Sequence, residues 1–215
     1  MEDCDGCRLR QGWKISPAGF SPLNFLMKHC SLLIAFVLQW LTLGLFGDPA
    51  AQKVTRTFYV SGLECGGCVY LVQQALSEAK GVAAVELVPS ADNYANVTYD
   101  PARLSEHQVA QVVREALPLH GTPYLATLRL RFAELERDWP VVDSAMERWR
   151  GRVRLEVVDR MKGQVVLHFA ALEAGVKQPQ DAGWSLPAFR KALEERKVLG
   201  RAVKFEVVEE KSPAF

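Results

Sequence analysis

Apolar and polar residues follow two different periods in the part of the chain that starts near residue 53. Residues 54–60 read VTRTFYV, and this run of β-branched and aromatic residues predicts a strand. Apolar positions three or four residues apart then predict a helix that ends at Gly81, since glycine is common just after a helix. These positions are Cys68, Val72, Ala75, Leu76 and Ala79.

The elements that follow complete a recognisable order. Alternating apolar residues predict strands over residues 82–88 and 94–99, and Ser105 is a good N-cap for the helix that comes next. Residues 124–128 predict a last strand. The order βαββαβ is that of an α+β ferredoxin-like sandwich, in which two helices cover one face of an antiparallel sheet.

The same order of elements recurs in the second half of the chain. A repeat that preserves both periods predicts tandem ferredoxin-like sandwiches, interrupted by an insert from Glu173 to Gly183 that is typical of a surface loop. Because Leu128 belongs to both patterns, we interpret the run YLATLRLRF as one long strand that two packed units share. A fixed offset in numbering equates Phe58 with Leu128, Val85 with Leu155, and Val97 with Leu167.

An uncharged apolar run precedes these units. Residues 30–47 follow Lys28, and a basic flank, an apolar run and small residues behind it are typical of a secretory signal. The run is slightly short for a membrane-spanning helix of about 20 residues, but an uncleaved anchor stays open as the alternative. Either reading predicts that residues after Asp48 are exported, into the periplasm or at the outer side of the membrane.

Met27 resembles the natural start of a signal peptide, so we expect residues 1–26 to come from an upstream start codon. The predicted division is a leader at 1–51, a first unit at 52–128 and a degenerate second unit at 129–211.

Composition and charge exclude several classes of protein. Hydrophobic residues make up 49% of the chain and charged residues 24%, which favours folded cores over disorder. A formal net charge of +1 argues against a protein that binds nucleic acid by bulk charge. The five cysteines are an odd number and none follows Cys68, so a disulfide scaffold is not indicated. No catalytic constellation is present, and we expect a binding protein rather than an enzyme.

The chemistry of the chain is concentrated in a pair of cysteines. Cys65-Gly66-Gly67-Cys68 lies between the first strand and the first helix, where the helix N-terminus favours thiolates. Two thiolates at this spacing can converge on one soft ion: two sulfurs satisfy Cu(I) or Hg(II), whereas Zn(II) requires further ligands. A thiol–disulfide redox pair is the alternative, since export permits disulfides.

The sequence around these cysteines resembles the heavy-metal-associated domain. The family motif G-M-x-C-x-x-C stands here as residues 62–68, its G-V-x-x-V-x-V strand as 81–87, and its V-x-Y-D-P turn as 97–101. The family includes copper chaperones, the periplasmic mercury-binding protein and N-terminal modules of metal-transporting P-type ATPases. The resemblance implies that Cys65 and Cys68 bind one ion per chain, of Cu(I), Hg(II), Zn(II) or Cd(II). It also implies a metal-transporting membrane protein as partner.

Two further residues are candidate auxiliary ligands. Glu64 stands where the family usually has Thr or His, and zinc- and cadmium-type relatives often carry an acid there that joins the site. A carboxylate would favour a divalent ion over Cu(I), and an ordinary solvated acid is the alternative. His120 precedes the last strand of the first unit, in the loop that approaches the metal in the family, and is otherwise a surface histidine.

No equivalent site is indicated outside the first unit. The offset places Leu135 and Asp138 where Cys65 and Cys68 stand, so the second unit has no soft ligand and is predicted to be a structural or protein-contact module. His168 is expected to be an exposed strand residue, with metal ligation as the alternative. The leader also holds Cys4 and Cys7, which are a second metal site or a chance pair. Together these observations predict an exported scavenger or chaperone of soft cations; a redox protein or an interaction module are the alternatives.

Overall fold

The structure is a computed structural model that describes residues 52–172, 184–198 and 200–211. All of them belong to the unit Ala51–Phe215. The expected signal or anchor, the Cys4–Cys7 pair and the insert from Glu173 to Gly183 lie outside the described residues. Within the described ranges, no helix combines the length and the apolar character that crossing a membrane requires.

The first half forms the α+β sandwich that the sequence predicts. Its strands pair antiparallel in the order β2-β3-β1-β4, with two helices between them in the chain, which confirms the ferredoxin-like order. Ser105 starts the second helix with a capping box, because its side chain and that of Gln108 each accept a backbone N–H from the other residue. The elements are β1 Val54–Ser61, α1 Gly66–Glu78, β2 Val82–Val88, β3 Tyr94–Tyr99, α2 Glu106–Glu115 and β4 Leu125–Phe132.

The second half continues from the same sheet. The strand order extends as β4-β6-β5, β9 also pairs with β4, and β7 and β8 form a separate two-stranded sheet. The elements after β4 are α3 Leu135–Met146, a 3-10 turn Glu147–Trp149, β5 Val153–Asp159, β6 Gln164–Phe169, α4 Leu186–Glu194, β7 Lys197–Val198, β8 Arg201–Ala202 and β9 Phe205–Val207.

Strand β4 has partners from both halves. Along one edge, Leu125 to Thr127 pair with β1, and Leu130 to Phe132 pair with β9. Along the other edge, Thr127 to Arg131 pair with β6. The run that we interpreted from the sequence as one shared strand is therefore one strand, and neither half has its complete sheet without it.

The two halves agree in strand register but differ where the cysteines lie. Val85 pairs with Val97, and Leu155 pairs with Leu167, as the offset requires. The offset is wrong at the next connection: residues 62–65 join β1 to α1, whereas only residues 133 and 134 join β4 to α3. The short connection leaves no loop that could hold a metal ion, and it buries Leu135, which the offset equated with a cysteine.

The buried side of β4 unites the two cores. Ala126, Leu128, Leu130 and Phe132 alternate along the strand, and all four are at most 5% exposed. They belong to one cluster of buried apolar residues that extends through both halves. In the second half, Phe205 packs on Phe132 with ring centroids 5.5 Å apart. The strand therefore joins the halves by packing as well as by hydrogen bonds.

Helix α2 makes polar contacts with the second half. The buried carboxylate of Glu106 accepts the Tyr99 hydroxyl at 2.7 Å and the N–H of Leu186, at the start of α4, at 3.1 Å. Arg114 donates to the carbonyl of Phe169 at 2.7 Å. The Glu106 contact satisfies one of the unpaired N–H groups of α4 with a charged acceptor, so the helix of one half caps the helix of the other.

The residues after β9 cover part of the opposite face of the sheet, which the sequence did not predict. The Val208 N–H donates to the carbonyl of Arg129, and the Glu209 carboxylate accepts the N–H of Thr57 at 2.6 Å. Glu210 accepts the Tyr59 hydroxyl at 2.6 Å. Where β4 pairs with β9 instead of β1, the Glu209 carboxylate thus replaces a β4 carbonyl as the acceptor for a backbone N–H of β1.

We expect the two halves to unfold together because they share β4 and its core. Leu128→Ala should lower the free energy of unfolding by about 2–5 kcal/mol, as for other buried leucines, whereas the partly exposed Leu125 should tolerate alanine with a much smaller loss. Urea titrations followed by circular dichroism and by alkylation of the buried Cys68 thiol should coincide. Two separate transitions would contradict a shared strand. The background for alkylation carries serine at Cys4, Cys7, Cys30 and Cys65, so that Cys68 is the thiol that reacts.

Candidate metal centre

Two glycines let the loop before α1 approach the loop before β4. Gly62 has a φ of +87°, and a Cβ there would lie 3.3 Å from the carbonyl oxygen of Pro123. At Gly67 a Cβ would lie only 2.8 Å from the Leu119 side chain. The loop before α1 and the first turn of α1 are therefore in direct contact with the loop before β4, and glycine at both positions permits this approach.

The two cysteines lie together at the start of α1. Cys65 is the N-cap residue, and its Sγ accepts the N–H of Cys68 at 3.3 Å. The two Sγ atoms are 3.1 Å apart and both thiols are free. Cys65 is partly exposed, whereas Cys68 is 0% exposed. The pair therefore has one sulfur within reach of solvent and one within the core.

A buried tyrosine stabilises the Cys68 thiolate. The Tyr124 hydroxyl donates to Cys68 Sγ, and this hydrogen bond is the main cause that lowers the pKa of Cys68 to about 7; the Cys65 thiol adds to it. Burial, followed by this same hydrogen bond, raises the pKa of Tyr124, so the tyrosine stays the donor. Since a thiolate is the form that binds metal, Cys68 is prepared for ligation near neutral pH.

His120 completes a cluster of three ligand atoms. Its Nε2 lies 3.4 Å from Cys65 Sγ, and Nε2 and both Sγ atoms lie within 4.8 Å of one another. Among the described residues this is the group of three or more such side chains that could hold a metal ion. The structure thus brings together Cys65, Cys68 and His120, three of the residues that the sequence analysis named as candidate ligands.

The other candidate residues lie elsewhere. Glu64 is exposed and does not belong to the cluster. His168 pairs with Glu156 at 2.9 Å in the second half, as expected for an exposed strand residue. Asp138 is buried and pairs with Arg137 at 2.8 Å. These residues do not join the three ligand atoms.

Sequence reasoning placed Tyr124 in the same loop as His120 but assigned its hydroxyl no role, and it missed Leu119. The hydroxyl of Tyr124 also accepts the N–H of Leu119 at 3.3 Å, so one oxygen connects Cys68 with the loop that carries His120. The signal available in the sequence was a tyrosine directly before the last strand of the first unit. Its hydroxyl contacts depend on how the two loops approach each other, which periodicity does not show.

A ferredoxin-like half that presents a C-x-x-C pair at the start of its first helix is a domain for binding heavy-metal ions. The sequence profile of the heavy-metal-associated domain matches residues 57–117, and the chain belongs to that family. The match includes both cysteines and ends before His120.

Relatives and solved structures cover different shares of the chain. Two uncharacterised proteins of Haemophilus influenzae are each 32% identical over 62 residues, which is 29% of this chain and 88% of the relative. The water-soluble region of the P-type ATPase CopA from Bacillus subtilis has 16% identity and a TM-score of 0.33, over 73% of this chain and 92% of that one. A solution structure of the N-terminal soluble domains of the same ATPase has 17% identity and a TM-score of 0.29, over 73% and 95%.

We expect Tyr124→Phe to raise the pKa of Cys68. Without the hydroxyl the thiolate loses its principal donor, so its formation moves to higher pH. Thiolate absorbance near 240 nm, followed as the pH rises, should show a step near pH 7 in the parent chain and a later step in the variant. Tyr94→Phe is the matched control, since its hydroxyl donates to the carbonyl of Lys211 instead. An unchanged step in Tyr124→Phe would contradict this account.

Proposed function

We propose that this chain is a carrier of soft metal ions, which holds one ion between Cys65 and Cys68 and passes it to a metal-transporting membrane protein. The observation that carries the proposal is a pair of free thiols 3.1 Å apart at the start of α1, one partly exposed and one buried. Membership of the heavy-metal-associated domain family supports it. Soft sulfur ligands favour Cu(I), Hg(II), Zn(II) and Cd(II) over hard cations such as Mg²⁺ or Ca²⁺.

The unequal exposure of the two sulfurs supports transfer rather than permanent storage. Cys65 is partly exposed, so a thiolate of the partner can bind the ion before the Cys65 sulfur leaves. The leaving thiolate takes a proton from water, and the ion never lacks ligands. Cys68 keeps its hydrogen bond from the Tyr124 hydroxyl and is the second sulfur to release the ion.

Thiol–disulfide exchange is the second candidate, and the short distance between the sulfurs favours it. The thiol with the lowered pKa, however, is Cys68, which is 0% exposed and out of reach of an external disulfide. In redox proteins the reactive thiol usually has both a lowered pKa and access to solvent. Reduction of insulin by the chain, lost in Cys65→Ser, would favour the redox function over metal transport.

We further propose that the carrier works outside the cytoplasm and is not an enzyme. The basic flank and the apolar run of residues 30–47 support export. A fusion of residues 1–51 to alkaline phosphatase, which needs an oxidising compartment for its disulfides, tests this. We expect an active fusion, and an inactive one would contradict export.

The second half, in this proposal, is a degenerate copy of the first that serves as a structural or protein-contact module. The common order of strands and helices and the equivalent registers of β2/β3 and β5/β6 support it. The shortened connection at residues 133 and 134 accounts for the loss of the metal loop in that copy.

We expect one tightly bound soft ion per chain under reducing conditions, because one half keeps thiols. Native mass spectrometry after incubation with Cu(I), Zn(II) or Hg(II) should show a single added ion. Replacing both Cys65 and Cys68 by serine should remove it. The matched control replaces Cys4 and Cys7 by serine and should keep the ion. Two tight ions in that control would contradict a single centre.

A further inference from the structure

We propose that four side chains on the open face of the first half form a binding site for an acidic, extended segment of a partner protein. The chain's own residues 208–211, the C-terminal segment, occupy this site until such a segment replaces them. The four side chains are two cross-strand pairs, Thr57 with Asn96 and Tyr59 with Tyr94, and together they make the receiving face. None of them belongs to the thiol cluster, so the inference goes beyond the proposed function and does not rest on it.

The receiving face holds the main chain of the C-terminal segment. Thr57 Oγ1 donates to Asn96 Oδ1 at 2.7 Å, which orients the amide and leaves the threonine oxygen as an acceptor. That oxygen accepts the Glu210 N–H at 2.9 Å, and Asn96 Nδ2 donates to the Glu210 carbonyl at 3.2 Å. The Tyr94 hydroxyl donates to the Lys211 carbonyl at 3.3 Å. Main-chain contacts of this kind fit an extended segment whatever its side chains are.

Two carboxylates give the site its preference for acidic residues. Glu209 accepts the Thr57 N–H at 2.6 Å and pairs with Arg56 at 3.1 Å. Glu210 accepts the Tyr59 hydroxyl at 2.6 Å. Burial and this hydrogen bond raise the pKa of Tyr59, so its hydroxyl stays protonated and remains a donor. Because hydrogen bonds to charged acceptors are stronger than neutral ones, the receiving face selects two adjacent carboxylates.

The receiving groups are buried, whereas the segment that covers them is not. Thr57 is 0% exposed and Tyr59 is 6% exposed, but residues 209–211 are all exposed and none of them is apolar. Polar contacts near the end of the chain therefore hold the segment, and such segments open at a low cost in free energy. On opening, the Tyr59 hydroxyl and the Thr57 N–H lose their carboxylate partners. They are then available to the carboxylates of another segment.

A partner protein is favoured over a second copy of this chain as the source of that segment. The tether to β9 gives the chain's own segment an effective concentration on the order of millimolar, so the same segment of another copy gains nothing by replacing it. A longer segment does gain contacts. A groove of about 440 Å³ adjoins the receiving face at Tyr59, and Thr127, Arg129 and His168 also line it. The Arg129 guanidinium lies over the Tyr59 ring, within reach of a further carboxylate.

The test measures binding of a fluorescein-labelled peptide of residues 206–211, EVVEEK, by fluorescence anisotropy. In the full chain, Glu209→Gln with Glu210→Gln should release the segment and tighten peptide binding about tenfold or more, because the apparent affinity scales with the fraction of sites that are free. Glu194→Gln with Glu195→Gln removes two adjacent carboxylates elsewhere and is the matched control. A chain that ends at Val207 is a second receiver, and circular dichroism verifies that each receiver is folded.

Further readouts locate the peptide on the receiving face. Tyr59→Phe, added to either receiver, should weaken peptide binding, whereas Tyr70→Phe, at an exposed tyrosine, should not. The Thr57 N–H should exchange with solvent faster in the receivers and regain protection when the peptide is added.

Three results would overturn the inference. One is equal peptide affinity in the parent chain and in both receivers. Another is binding of the amide peptide EVVQQK as tightly as EVVEEK, since the site would then not select carboxylates. The third is a parent chain that is a dimer and dissociates in the Glu209→Gln, Glu210→Gln variant, which would favour exchange of the segment between copies.

Discussion

The hydrogen bonds of strand β4 determine how the described part of the chain is organised. One edge is divided between β1 and β9, and the other edge is occupied by β6. In the first half β4 is the last strand of the sandwich, whereas in the second half it is an inner strand between β9 and β6. Leu128 and Leu130 on its buried side belong to the core of both. The two halves therefore meet without a linker, since one strand completes the sheet of each.

The metal loop depends on the same strand through its neighbour. Tyr124 precedes β4 directly, and its buried ring sets the position of the hydroxyl that contacts Cys68 and Leu119. The position of this tyrosine beside β4 therefore fixes both the hydroxyl that donates to the Cys68 thiolate and the loop that carries His120. The second half has no counterpart, because β4 runs into α3 after residues 133 and 134.

Local patterns were sufficient to predict the elements and the cysteine pair. The alternation in residues 94–99, the periodicity of α1 and the cap at Ser105 each depend on a few neighbouring residues, so they are legible in one sequence. The offset did not predict the shortened connection between β4 and α3. A change in loop length leaves the hydrophobic periods of the flanking strand and helix unchanged, so the sequence pattern does not show it. Glu64 and His120 were both candidate auxiliary ligands in the sequence, and the approach of two distant loops brings His120, and not Glu64, to the thiols. The contact of Glu209 with β1 joins residues far apart in the chain, and no local pattern indicates it.

The C-terminal residues that cover β1 have a consequence for how separable the two halves are. A fragment ending at Leu128 would lack Glu209, so the N–H of Thr57 would lose its acceptor. The edge of β4 that now faces β6 would be uncovered, and an unpaired strand edge is a template for association with other chains. In this chain the first half depends on the second for the cover of both strand edges, so removing the second half would open both.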